Sequence, residues 1–149
     1  MKLAVALQER ADLNRKIAQL RQRLLDNSQI QEGEDPAEDP KELLKELDGA
    51  LTRLKELITT INLTNAKTVY EGKTMTEMIA ERDVLKEQIS AWRDLISSAS
   101  QLSYRARNTE IRILPAVNVR SLQKKTDDAS GRLRRLDAKI QELNWTTEI

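Results

Sequence analysis

The sequence predicts an all-α fold: four long antiparallel helices built as two similar helical hairpins, with a short extended, β-like connection. Three observations carry this expectation. Four segments alternate three- and four-residue apolar spacing, the mark of helices packing along a narrow seam. Helix-start and turn residues fall between those segments. The pattern of the first two segments also returns, in order, in the last two.

The first helix runs through Leu3, Ala6, Arg10, Leu13, Ile17, Leu20 and Leu24. The second runs through Leu44, Leu47, Leu51, Leu54, Ile58, Ile61 and Asn65. Leu43, Ala50 and Leu57 flank that row and widen the apolar face enough for two neighbours. Asp39-Pro40 opens this helix, because Pro is tolerated in a first turn. Val69 to Thr74 reads as a tight turn or miniature hairpin. Thr74-Met75-Thr76-Glu77 reads as a capping box with Thr74 as N-cap. The third helix follows through Met75, Met78, Arg82, Leu85, Ile89, Trp92, Ile96 and Ala99. Glu110 to Leu114 alternates like a short strand, which Pro115 ends. The fourth helix runs through Leu122, Thr126, Ala129, Leu133, Leu136, Ile140 and Leu143. At ~25 residues each, such helices are roughly 38 Å long.

The repeat is specific in its polar members. Glu9-Arg10, Leu13, Ile17, Leu20-Arg21 return 72 residues later as Glu81-Arg82, Leu85, Ile89, Trp92-Arg93. Leu51, Arg53-Leu54, Ile58, Ile61-Asn62-Leu63-Thr64 return at an offset of 82 as Leu133, Arg135-Leu136, Ile140, Leu143-Asn144-Trp145-Thr146. Any two heptad helices align at Leu and Ile, but the shared Glu-Arg and Asn-x-Thr elements weigh toward a duplicated hairpin. One domain, residues 1–149, would then hold a repeat of 3–65 and 75–147.

Composition narrows the chemistry. The 149 residues include no His, no Cys and no Phe. Thiol and imidazole catalysis, disulfides, structural zinc and Glu-x-x-His metal sites are therefore excluded, and no cofactor is expected. No carboxylate pair sits in a setting that would perturb its pKa, so the reading is not an enzyme. The 25 Lys+Arg nearly cancel 24 Asp+Glu, leaving a net charge of +1 and no general attraction to nucleic acid or anionic membrane. Basic clusters such as Arg132/Arg134/Arg135 read as solvated helix faces. No apolar run approaches a signal-peptide core or the ~20 residues of a membrane span, so a cytoplasmic location is the expectation.

Arg10 and Arg82 occupy seam positions where Leu would be expected. A charge in a seam is costly unless it is paired. In hairpins with short connections Arg10 would lie level with Asn62, and Arg82 with Asn144. The plainer reading is a register-setting polar layer; the sharper one is a small anionic-ligand pocket of Arg10, Arg82, Asn62 and Asn144. The two Asn-x-Thr motifs also read as helix-terminal capping residues. A second pairing concerns the connectors. Residues 31–40 carry five negative charges, among them Glu32, Glu34 and Asp35, and no positive one. Tyr104 to Arg120 carries Arg105, Arg107, Arg112 and Arg120 against Glu110 alone. Solvated loops and a complementary contact, within or between chains, weigh equally.

Three stretches resemble a known family: Met1 to Leu13, the acidic Gln31 to Pro36, and the closing Leu136-Asp137 through Asn144-Trp145-Thr146-Thr147-Glu148. They are similar to small bacterial proteins labelled septicolysin-like, otherwise carried as a domain of unknown function. The resemblance covers essentially the whole chain and implies a bacterial all-helical protein, with no catalytic residue supplied. The label implies a membrane-acting toxin, against which the missing export signal and inserting segment count. The functional expectation is a structural or interaction protein that forms a homo-oligomer through helix faces, its exposed seam edges being covered by other copies.

Overall fold

The computed structural model describes residues 1–101 and 111–149. Its elements run α1 (Leu3–Asp26), α2 (Pro40–Lys67), β1 (Val69–Tyr70), β2 (Lys73–Thr74), α3 (Met75–Ser100) and α4 (Val119–Thr146). The chain divides into two compact units, Met1–Val69 with Leu143–Ile149, and Tyr70–Glu142. α1 packs on α2 in the first, and α3 on α4 in the second, giving the two expected hairpins.

In the first unit, the start of α1 has no side-chain cap, although its first N–H groups need acceptors. The closing residues supply one. The Leu3 N–H donates to the Thr147 carbonyl at 2.9 Å, and the Ile149 N–H donates to that of Met1 at 2.9 Å. Lys2 and Glu148 form an antiparallel bridge there, and the Lys2 ammonium lies 2.7 Å from the Glu148 carboxylate. At the other end of α1 the Asn27 side chain is 9% exposed and works in both directions. Its Nδ2 donates to the Arg23 carbonyl at 2.8 Å, while its Oδ1 accepts from the Glu38 N–H at 3.0 Å. α2 then begins as expected, with Asp39 accepting from the Lys41 N–H at 3.0 Å and Pro40 in the first turn.

The buried row of α2 differs from the expected seam. Leu43, Ala50, Leu57 and Ile61 are buried, whereas Leu44, Leu51 and Ile58 are 49%, 44% and 40% exposed. Both rows repeat every seven residues and stand about 100° apart on the helix. Packing therefore buries the expected flank, Leu43, Ala50 and Leu57, together with Ile61 of the expected seam, keeps Leu47 and Leu54 half-buried, and leaves the Leu44, Leu51 and Ile58 row outside.

In the second unit, Glu71 and Gly72 have φ of 48° and 78°. Two consecutive positive values are the pattern of a type I′ turn, which joins β1 to β2 as a hairpin. The Thr74 capping box is complete. The Thr74 hydroxyl accepts from the Glu77 N–H at 3.1 Å, and the Glu77 carboxylate accepts from the Thr74 N–H at 2.7 Å. Leu85, Ile89 and Ala129 form a core against which Trp92 and Leu133 pack. Thr126 is 1% exposed, its hydroxyl satisfied by the Leu122 carbonyl at 2.8 Å.

The strand expected at 110–114 is not found among the described residues. Residues 111–118 enter no sheet, and Glu110 lies outside the described residues. A two-residue turn lets β1 and β2 satisfy each other's backbone groups. The extended connection of this fold is therefore the one between α2 and α3. Asn118 ends residues 111–118 by accepting from the Ser121 N–H at 3.0 Å, which opens α4.

Candidate functional site

The two seam arginines meet different surroundings. Arg82 is 22% exposed, with its Nε 3.0 Å from Asp83 Oδ1 and its Nη1 3.7 Å from Asp137 Oδ1 on α4. Within this unit its carboxylates are thus Asp83, hydrogen-bonded to it, and Asp137 across the hairpin. Arg10 is half-buried, and its guanidinium has no hydrogen bond or ion pair among the described residues. Asn62, expected beside it, is exposed, whereas Asn144 is 7% exposed. The level of α1 against α2 is set by Glu9, whose carboxylate is gripped by Arg53 through Nε at 2.7 Å and Nη2 at 3.0 Å. Arg10, the next residue, is therefore at about the level of Arg53 on α2, more than two turns from Asn62. The expected level took the connection as short, whereas thirteen residues, 27–39, join α1 to α2. The Asn-x-Thr motifs lie at helix ends as expected: the Thr68 N–H that closes α2 donates to the Thr64 carbonyl at 2.9 Å, and the Thr146 hydroxyl at the end of α4 donates to the Leu143 carbonyl at 3.4 Å, while Asn62 makes no side-chain hydrogen bond among the described residues.

The paired carboxylates are tuned by their cations. Hydrogen bonds from Arg53 hold the Glu9 carboxyl below its ordinary range. Lys73 lies 2.9 Å from Glu81, and that hydrogen bond raises the lysine above its usual value.

The charged connectors resolve in another way. Glu32, Glu34 and Asp35 are exposed and have no ion pair among the described residues, as is also true of Arg112. Arg105 and Arg107 lie outside the described residues. The acid of this connector that finds a cation is Glu38, on Arg23 of α1, with Nε 3.0 Å from Oε2. Arg23 hydrogen bonds also lower the Glu38 pKa. Arg23 was expected on a solvated basic face and Glu38 in the acidic connector, but not as a pair, and Asn27 was not expected at all; its signal was an Asn shortly after the last periodic residue of α1.

What the first unit presents outward is an apolar row. Leu44, Leu51 and Ile58 span two heptads of α2, or about 21 Å. Asp48 and Lys55 border the row on one side, and neither has an ion pair among the described residues. Among the described residues no three acidic side chains converge as a metal site requires, and no helix is long and apolar enough to cross a membrane.

Comparison with known proteins agrees with the fold and names no activity. The chain is similar to the crystal structure of a functionally unknown conserved protein from Corynebacterium diphtheriae. That similarity has a TM-score of 0.93 and 38% identity, covering 100% of this chain and 98% of the other. No curated protein matches. The septicolysin-like label expected from the sequence finds no support in these comparisons; only its companion description, a domain of unknown function, agrees with them. The family model that matches does so over residues 10–149, and the chain belongs to that family of unknown function, DUF6847.

Proposed function

We propose that this is a non-enzymatic interaction protein that self-associates through α2. The observation that carries the reading is the exposed row of Leu44, Leu51 and Ile58. Seven-residue spacing along a straight helix is the geometry of a helix–helix seam. A second copy is the occupant that fits, because the row is complementary to itself. With two α2 helices antiparallel about Leu51, Leu44 of one lies opposite Ile58 of the other. Asp48 and Lys55 border the same side of the row, so each aspartate then meets the lysine of the other copy. Such an isologous contact closes on itself and needs no other partner.

Sedimentation equilibrium between about 1 and 100 µM tests this, the range where a standard interface of modest affinity populates both states. The expected result is a monomer–dimer equilibrium. Leu51→Glu places an unpaired carboxylate on the axis and yields monomer with unchanged helical circular dichroism. Asp48→Lys weakens the dimer, and adding Lys55→Asp restores it. A wild-type chain that stays monomeric across the range, or a dimer indifferent to Leu51→Glu, contradicts the proposal.

A further inference from the structure

The second unit holds a cavity of about 440 Å³, a size that suits a small ligand. Met78, Leu136 and the Tyr70 ring give it apolar walls; its rim carries Lys73, paired with Glu81 at 2.9 Å, Lys139, paired with Glu142 at 2.6 Å, the carboxylate of Glu71, and Arg135, which has no ion pair among the described residues. The Lys139 ammonium lies 4.6 Å from the centre of the Tyr70 ring. A neighbouring hollow of about 290 Å³ shares Glu81 and Leu136 with it and adds Arg132. Glu71, also on the cavity wall, is the described non-glycine residue held at positive φ.

The first hairpin shows what is unusual about this rim. Aligned by buried positions, Leu3 matches Met75 and Ala6 matches Met78, while Ala50 matches Ala129 and Ile61 matches Ile140. The offsets are 72 for the first helix of each pair and 79 for the second. On that alignment Glu9 corresponds to Glu81, Arg53 to Arg132, Glu56 to Arg135 and Thr60 to Lys139. In the first hairpin Arg53 is satisfied on both sides, by Glu9 at 2.7 Å and by Glu56 at 3.4 Å. In the second, Lys73 has taken Glu81, and arginine stands where Glu56 would be. Arg132 and Arg135 are left with no ion pair among the described residues, one turn apart on α4. A neutralised cluster has become an open basic one beside an apolar hollow.

We propose that this cleft binds a small organic anion, a phosphate or carboxylate carried on an apolar body. The anionic group docks on the guanidinium forks of Arg132 and Arg135, whose planar geometry suits either headgroup. The body lies on Leu136, Met78 and the Tyr70 ring. Its residues all belong to the second unit and none to α2, so its test does not depend on the self-association proposed above.

The test is a ¹H–¹⁵N chemical-shift titration of the full chain with phenyl phosphate, benzoate and inorganic phosphate. Phenyl phosphate or benzoate is expected to move amides at 70–73 and 132–139 in a saturable way, the tighter of the two identifying the headgroup. Inorganic phosphate is expected to bind at least about tenfold more weakly, a difference of ~1.4 kcal/mol. Arg132→Gln with Arg135→Gln removes the saturable shifts. Arg135→Glu rebuilds the charge arrangement of the first hairpin, so it folds and also loses binding. Absence of saturable shifts with both organic anions, shifts that survive the double variant, or equal binding of inorganic phosphate overturns the proposal.

Discussion

At the scale of single residues, the contrast between Arg10 and Arg82 shows how one side chain acquires two meanings. Each replaces an expected leucine in its seam, and each loses water there. Arg82 recovers that cost through Asp137 and Asp83. Its counterpart in the first hairpin meets no carboxylate, because the residue of α2 that corresponds to Asp137 is Ile58. A partly buried cation without a partner is a liability, whereas removing one member of a pair strands the other. Arg10→Leu is therefore expected to stabilise the protein by up to about 1 kcal/mol, from relieved desolvation and added apolar contact. Arg82→Leu is expected to be neutral or destabilising, since Asp137 loses its cation. Urea unfolding of both variants at neutral pH measures the difference in sign. That these arginines demand partners was legible in the sequence. Which partners they find was not, since this depends on how far one helix slides past its neighbour.

At the scale of elements, local chemistry is strongest where side chain and backbone are close in sequence. The Thr74–Glu77 box and the Asp39-Pro40 start are both formed as their residues imply. Thr74→Ala removes an acceptor from an N–H of α3 and is expected to cost about 1 kcal/mol. The loss is read as a lower urea midpoint with an unchanged slope. α1 behaves differently. Its first N–H is satisfied by Thr147, nearly the whole chain away, and no cap signal precedes Leu3. Of the strand expected at 110–114, the described residues 111–114 enter no sheet. Alternation of side chains describes a conformation, but a strand also needs a partner, which local pattern does not supply. The repeat shows the same limit: the Asn-x-Thr match favours an offset of 82 for the second helices, whereas buried positions align at 79.

At the scale of the whole molecule, carboxylates held in their charged form are spread along the chain. Glu9 is lowered by hydrogen bonds from Arg53, and Glu38 by those from Arg23. Glu77 is lowered by the Thr74 N–H, and Glu148 by Lys2. A group whose pKa is depressed on folding adds stability above its unfolded pKa, and that stability disappears as pH falls through the folded value. The four act in one direction, so the urea midpoint is expected to fall between neutral pH and about pH 3, the lower edge of the carboxylate range. All four are substantially open to water, so added salt is expected to shrink that difference. A midpoint independent of pH contradicts the assignment.

Helix number and the starts of α2 and α3 followed from the sequence alone, because a helix is built from contacts three and four residues apart and these two starts are closed by adjacent side chains. The exclusion of thiol and imidazole chemistry also followed from it, since absent side chains cannot act in any fold. The tertiary structure decided which of two equivalent apolar rows of α2 is buried, and therefore which row is left to meet another copy. It also decided that Glu81 turns to Lys73, leaving Arg132 and Arg135 open over a cavity. Burial and ion pairing depend on what stands opposite, and helix lengths, connection lengths and packing set that together.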